Sequence, residues 1–175
     1  SYVPESFEDN ALKMERFGID ETFIAEKIGV RRVARKAAGE ETSDMCIRAY
    51  DALRGKTVIS GDQVDCVIVC TQNPDGDGIP HASAIIQAKL DLPESCAVFD
   101  ISLGCSGYVH GLSVAKFFME GNGFSTGLLF TCDPYSKILD PDDKNTVLLF
   151  GDAATVTLLT DDGPTGKPPW TPLAF

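Results

Sequence analysis

The 175 residues carry a formal charge of −11, with 43% hydrophobic and 23% charged side chains, the balance of a single soluble domain large enough for its own core. The acidic surplus argues against nonspecific nucleic-acid binding, and no apolar run approaches the roughly 20 residues that cross a bilayer. Two histidines and six cysteines without a CxxC pair argue against structural zinc.

In chain order, Asn10 to Phe17 predicts a short helix stopped by Gly18. Asp20 can cap a second helix through Phe23 to Ile28, with Gly29 just past its end. Lys27, Arg31, Arg32, Arg35 and Lys36 then crowd five positive charges into ten residues. They form either a solvated loop face or a landing surface for an anionic ligand or carrier protein. Thr42 opens a helix whose apolar Cys46, Ala49, Tyr50 and Leu53 recur at helical spacing, and Gly55 ends it.

The period then changes. Asp65 to Cys70 is a short continuous apolar run, as expected of a strand buried on both faces. A turn-rich loop follows from Gln72 to Gly78, and Pro80 suits the first turn of a helix running to about Leu90. Cys96 to Ile101 predicts a second buried strand, Gly107 to Glu120 a helix, and Thr126 to Thr131 a third strand. Val147 to Phe150 and Thr155 to Thr160, joined by Gly151 to Ala154, suggest a hairpin. This alternation predicts an α/β fold: a mostly parallel mixed sheet packed on helices. Because Tyr108, Val109, Leu112, Val114, Ala115, Phe117 and Phe118 leave the helix after Cys105 almost no polar face, it should be buried all round.

Cys105 therefore falls in a glycine-flanked turn between a strand and a helix start. Unpaired N–H groups and the helix dipole there favour a thiolate. Such a thiolate can accept an acyl group from a thioester while backbone N–H groups stabilise the oxyanion. A structural cysteine is the plainer alternative, and Cys66, Cys70 and Cys96 in their apolar runs are expected to be buried small hydrophobes. His110 lies about 500° round the helix from Cys105 and should be a buried, hydrogen-bonded histidine rather than its base. His81, at a helix start, is the other candidate base.

The stretch Asp100 to Ala115, DISLGCSGYVHGLSVA, resembles the active-site segment of β-ketoacyl-acyl-carrier-protein synthase III enzymes, condensing enzymes of the thiolase fold. Phe23 to Arg31, Ile79 to Ser83, Leu139 to Thr146 and Phe150 to Ala154 resemble further segments of that family in the same order. The resemblance spans roughly residues 1 to 163, leaving 164–175 as a tail toward a missing second half. It implies a thiolase-like amino-terminal half, Cys105 as the acyl-accepting nucleophile, and coenzyme A contacts from Phe23, Lys27, Arg31 and Lys144. It also implies an acyl pocket near Ile79 and His81. Phe23 stands where the family often has tryptophan, and Lys27 and Lys144 where arginine is common, which keeps the charge without the bidentate fork.

The implied reaction is acyl transfer from acyl-CoA to Cys105, then decarboxylative condensation with a malonyl-acyl-carrier protein. No metal or redox cofactor is expected; acyl-CoA is a substrate. The partners implied are acyl carrier protein, a second copy in a homodimer, and a second half on the same or another chain that brings the family's catalytic histidine and asparagine. The fragment by itself should be inactive. Transfer to an oxygen or nitrogen acceptor, a noncatalytic partner half and a stand-alone cysteine hydrolase are the alternatives. A start at Ser1 suggests a trimmed or processed chain, and without a secretory signal the expected setting is cytoplasmic, with free thiols.

Overall fold

The computed structural model describes residues 1–161; the tail 164–175 lies outside them. Two sheets form its frame. Strands β1 (Ser6–Asp9) and β2 (Arg32–Arg35) pair antiparallel. The main sheet has the order β4 (Ala97–Ile101), β3 (Cys66–Cys70), β5 (Thr126–Cys132), β6 (Ala154–Thr160). Its first two ladders are parallel, and β6 runs antiparallel to β5.

Five α-helices accompany them: α1 (Met14–Phe17), α2 (Thr42–Arg54), α3 (Ala82–Lys89), α4 (Gly107–Asn122) and α5 (Lys144–Val147). The continuous apolar run of β3 is explained by burial on both faces. Val67 and Val69 pack with Met45, Ala49, Ala82 and Ile86 of α2 and α3, whereas Ile68 and Cys70 pack with Leu112 and Ala115 of α4. α4 approaches so closely because its inner face is small: a Cβ on Gly111 would lie 2.8 Å from Cys70 Sγ and 3.0 Å from Leu129 Cδ1. Gly18 and Gly29 end their helices in the left-handed conformation, as their positions predict.

Several expectations are corrected. The segments Asn10–Phe17 and Phe23–Ile28 are helical as expected, the second with the Asp20 carboxylate accepting the Phe23 amide at 2.8 Å, but the first is a 3-10 turn followed by one α turn and the second a wide π-helical turn. Pro80 does not open α3. His81 occupies the N-cap, and the Asp100 carboxylate accepts the Ala82 and Ser83 amides at 2.8 and 2.9 Å. Val147–Phe150 is no strand, because Asp143 caps a helical turn there by accepting from the Asn145 amide and the Thr146 hydroxyl. β6 pairs with β5 instead.

β4, expected to be a buried strand, is half-exposed at the sheet edge. Nor is α4 buried all round within the described residues. It buries Gly107, Gly111, Leu112, Ala115 and Met119 and leaves Val109 54% and Phe117 64% exposed. His110 is exposed on it rather than buried.

Candidate active site at the carboxyl ends of the parallel strands

The three parallel strands deliver their following loops to one edge of the sheet, where α/β folds assemble sites. After β3 come Thr71, Gln72 and Asn73. Ser102 to Cys105 follow β4, and Asp133 to Tyr135 follow β5. Asp133 Oδ1 joins two of these loops, accepting from the Gln72 amide at 2.6 Å, the Thr71 hydroxyl at 3.2 Å and Asn73 Nδ2 at 3.2 Å.

Cys105 is exposed in the turn before α4, while the other five cysteines are buried. The turn closes with the Gly107 amide donating to the Gly104 carbonyl at 2.7 Å. Beneath it the Cys70 thiol donates to the Gly107 carbonyl at 3.2 Å. Ser106, at the N-cap of α4, makes no side-chain cap bond. An anion at this 16-residue helix start would therefore meet the positive dipole end and first-turn amides without a competing cap. Chemically, this edge offers an accessible thiol at the amino end of a helix, one part of what acyl transfer requires.

Ile79 and His81 lie on the chain leaving the same sheet edge after β3. Ile79 is 91% exposed. The His81 ring is partly committed, lying 2.8 Å from the Ser83 hydroxyl and accepting the Ala84 amide at 3.3 Å.

A second cluster forms where α1 and the Phe23–Ile28 turn meet the loop before α5. Lys144 Nζ stands 5.3 Å from the centre of the Phe23 ring, so two residues far apart in sequence meet in a cation–π contact. Arg16 pairs with Asp142 across the same seam at 2.5 Å. Lys27 is exposed and has no hydrogen-bond or ionic partner among the described residues. Arg31 is already engaged by Glu21 at 3.2 Å and Asp9 at 3.4 Å.

The basic run is thus not one open landing surface. Arg35 is a structural tie, donating to the Val147 and Phe150 carbonyls at 3.0 and 2.7 Å and pairing with Glu8 at 3.1 Å. Arg32 lies over Phe7.

Tyr135, Gln72 and Asp133 escape a reading of the sequence, because nothing local marks them. The available signal is their position just after predicted parallel strands. Among the described residues no cluster of His, Cys, Asp and Glu is arranged to hold a metal, and no helix is long and apolar enough to cross a membrane. A polar depression of about 490 Å³ lies at the other end of the sheet, lined by Asp65, Ser125, Thr126 and Asp161. Asp65 and Asp161 there are satisfied by Ser125 and Thr126.

Residues 99–169 match the family model of 3-oxoacyl-[acyl-carrier-protein (ACP)] synthase III. A β-ketoacyl-[acyl-carrier-protein] synthase III of Paramagnetospirillum magneticum is 36% identical over 91% of this chain and 48% of its own. A crystal structure of a 3-oxoacyl-(acyl-carrier-protein) synthase III superposes with a TM-score of 0.86 at 35% identity, covering 96% of this chain and 49% of that one. A 3-oxoacyl-(acyl-carrier protein) synthase from Burkholderia xenovorans gives 0.83 at 36% identity, covering 92% of this chain and 46% of that one. The chain spans about half the length of the curated relatives it matches.

Proposed function

Because the chain corresponds to the amino-terminal half of a β-ketoacyl-[acyl-carrier-protein] synthase III-like enzyme of the thiolase-like α/β fold, we propose that it supplies the nucleophile of a condensing enzyme and that Cys105 is that nucleophile. The observation that carries this reading is the exposure of Cys105 alone among six cysteines, in an uncapped turn at the shared sheet edge.

In the first half-reaction the Cys105 thiolate attacks the carbonyl carbon of acyl-CoA. The new bond joins sulfur to the acyl carbon, the bond to the coenzyme A sulfur breaks, and the released coenzyme A thiolate takes up a proton. In the second, the malonyl thioester on acyl carrier protein loses carbon dioxide. The carbanion left behind attacks the acyl carbon, and Cys105 leaves as thiolate, giving a 3-ketoacyl product as in fatty acid biosynthesis. The chain's own part is to hold the thiol and to offer amide donors to the oxyanion. Donors for the developing enolate and a base within reach of the thiol come from the complementary half.

Phe23, Lys27, Arg31 and Lys144 are proposed as the coenzyme A surface, in which Phe23 and Lys144 already adjoin. The residues available for the acyl pocket are Ile79 and His81. A folding unit spanning 1–163, a homodimer and a cytoplasmic setting complete the proposal. The test is to treat the whole enzyme with acyl-CoA and locate the acyl group by peptide mapping. Acyl on Cys105 is expected; acyl on another residue with Cys105 unmodified removes the assignment.

A further inference from the structure

Gly104, directly before Cys105, lies beneath two side chains that arrive from other strands. A Cβ there would come within 2.6 Å of Gln72 Oε1 and 3.2 Å of the Tyr135 hydroxyl. Those two atoms are themselves joined, the hydroxyl donating to the amide oxygen at 3.2 Å. Both ends of the pair are anchored. The Gln72 backbone N–H is held by Asp133, and the Tyr135 ring lies against Phe150, centroids 4.8 Å apart. Phe150 is held in turn by Arg35 through its carbonyl.

We propose that Tyr135 is a positioning residue for the nucleophile: bonded to Gln72, it forms a brace across Gly104 that holds the turn presenting Cys105. This rests on the reading of Cys105 as the acyl acceptor. Gly104 is then required for close approach, since any side chain there would displace the brace. Burial, and after it the charges of Asp133 and Cys105, hold the Tyr135 proton more tightly than usual. The hydroxyl therefore stays a donor throughout the neutral range.

A single hydrogen bond that fixes a reacting group acts mainly through geometry, so its loss should slow acylation rather than weaken binding or unfold the protein. In the whole enzyme, Tyr135→Phe keeps the ring on Phe150 and removes only the donor. It should lower the single-turnover rate of Cys105 acylation by acetyl-CoA about tenfold, with KM and Tm nearly unchanged. Gln72→Ala should give a similar loss, and the double variant no more than either single one, because both break the same bond.

Full-rate acylation in Tyr135→Phe, losses that multiply in the double variant, or losses that track a falling Tm would each overturn the brace. Mapping the acyl group in the unmodified enzyme separates the two levels. Acyl on another residue removes the Cys105 reading itself, whereas acyl on Cys105 with full-rate variants removes the brace alone.

Discussion

Burial, with smaller contributions from nearby carboxylates and thiols, pushes the Cys66 thiol up to about 12 and those of Cys70 and Cys96 to about 11. At pH 7.5 fewer than about one in a thousand of these thiols is ionised. Iodoacetamide should therefore modify the exposed Cys105 at least about tenfold faster than Cys66, Cys70 or Cys96. Mass-spectrometric mapping at partial labelling checks this, and comparable labelling of Cys70 would refute it. The cluster proposed to hold coenzyme A gives a second expectation at this scale. Lys144→Ala should remove the contact over Phe23, worth about 0.5–1 kcal/mol at an exposed site, and Lys27→Glu should reverse an unpaired charge. Both should raise the acyl-CoA KM severalfold and leave a short thioester without the nucleotide almost unaffected. Equal losses with both donors would make these residues structural. The sequence marks Cys105, Phe23 and Lys144 as candidates because each belongs to a local motif. Tyr135 and Gln72 stayed hidden because their relation to Gly104 exists only once separate strands have been laid side by side.

Among the elements, those whose burial is complete within the chain were the easiest to foresee. β3 and β5 announce themselves by unbroken apolar runs because helices cover both faces of the sheet there. β1 and β2 are short and largely polar, pair as strands only with each other, and pass for loop. Val147 to Phe150 misleads in the opposite sense: four apolar residues suggest a strand, yet the Asp143 cap decides for a helical turn. α4 shows the limit of reading burial from composition, since its outer face awaits cover that the described residues do not provide. Its inner face gives a sharp test. Gly111→Val should drive methyl groups into Cys70 and Leu129 and cost about 1–3 kcal/mol by overpacking, read as a lowered Tm. Cys70→Ala placed beside it should recover part of the loss. A Gly111→Val protein as stable as its parent would show that α4 is not held at this spacing.

At the scale of the molecule, α4 leaves Tyr108, Val109, Val114 and Phe117 exposed together, an apolar face of the kind that favours association. Residues 1–175 alone should form no ketoacyl product from acyl-CoA and malonyl carrier protein, and should self-associate in light scattering. Phe117→Glu should reduce that association without creating activity. Turnover at the rate of a complete enzyme would place the whole catalytic set in this half. The ties around the small sheet have a consequence in time as well as in space. Tyr2 bridges Ala154, Asn10 donates to the Leu148 carbonyl, Arg35 to those of Val147 and Phe150, and the Asp152 amide to that of Ala34. During synthesis the ribosome releases residues 1–40 long before the segment that receives them. At about 5–20 residues per second, that stretch waits on the order of 10 s for its partners. Nascent chains arrested before residue 148 should therefore expose it to protease, and those arrested well past residue 160 should shield it.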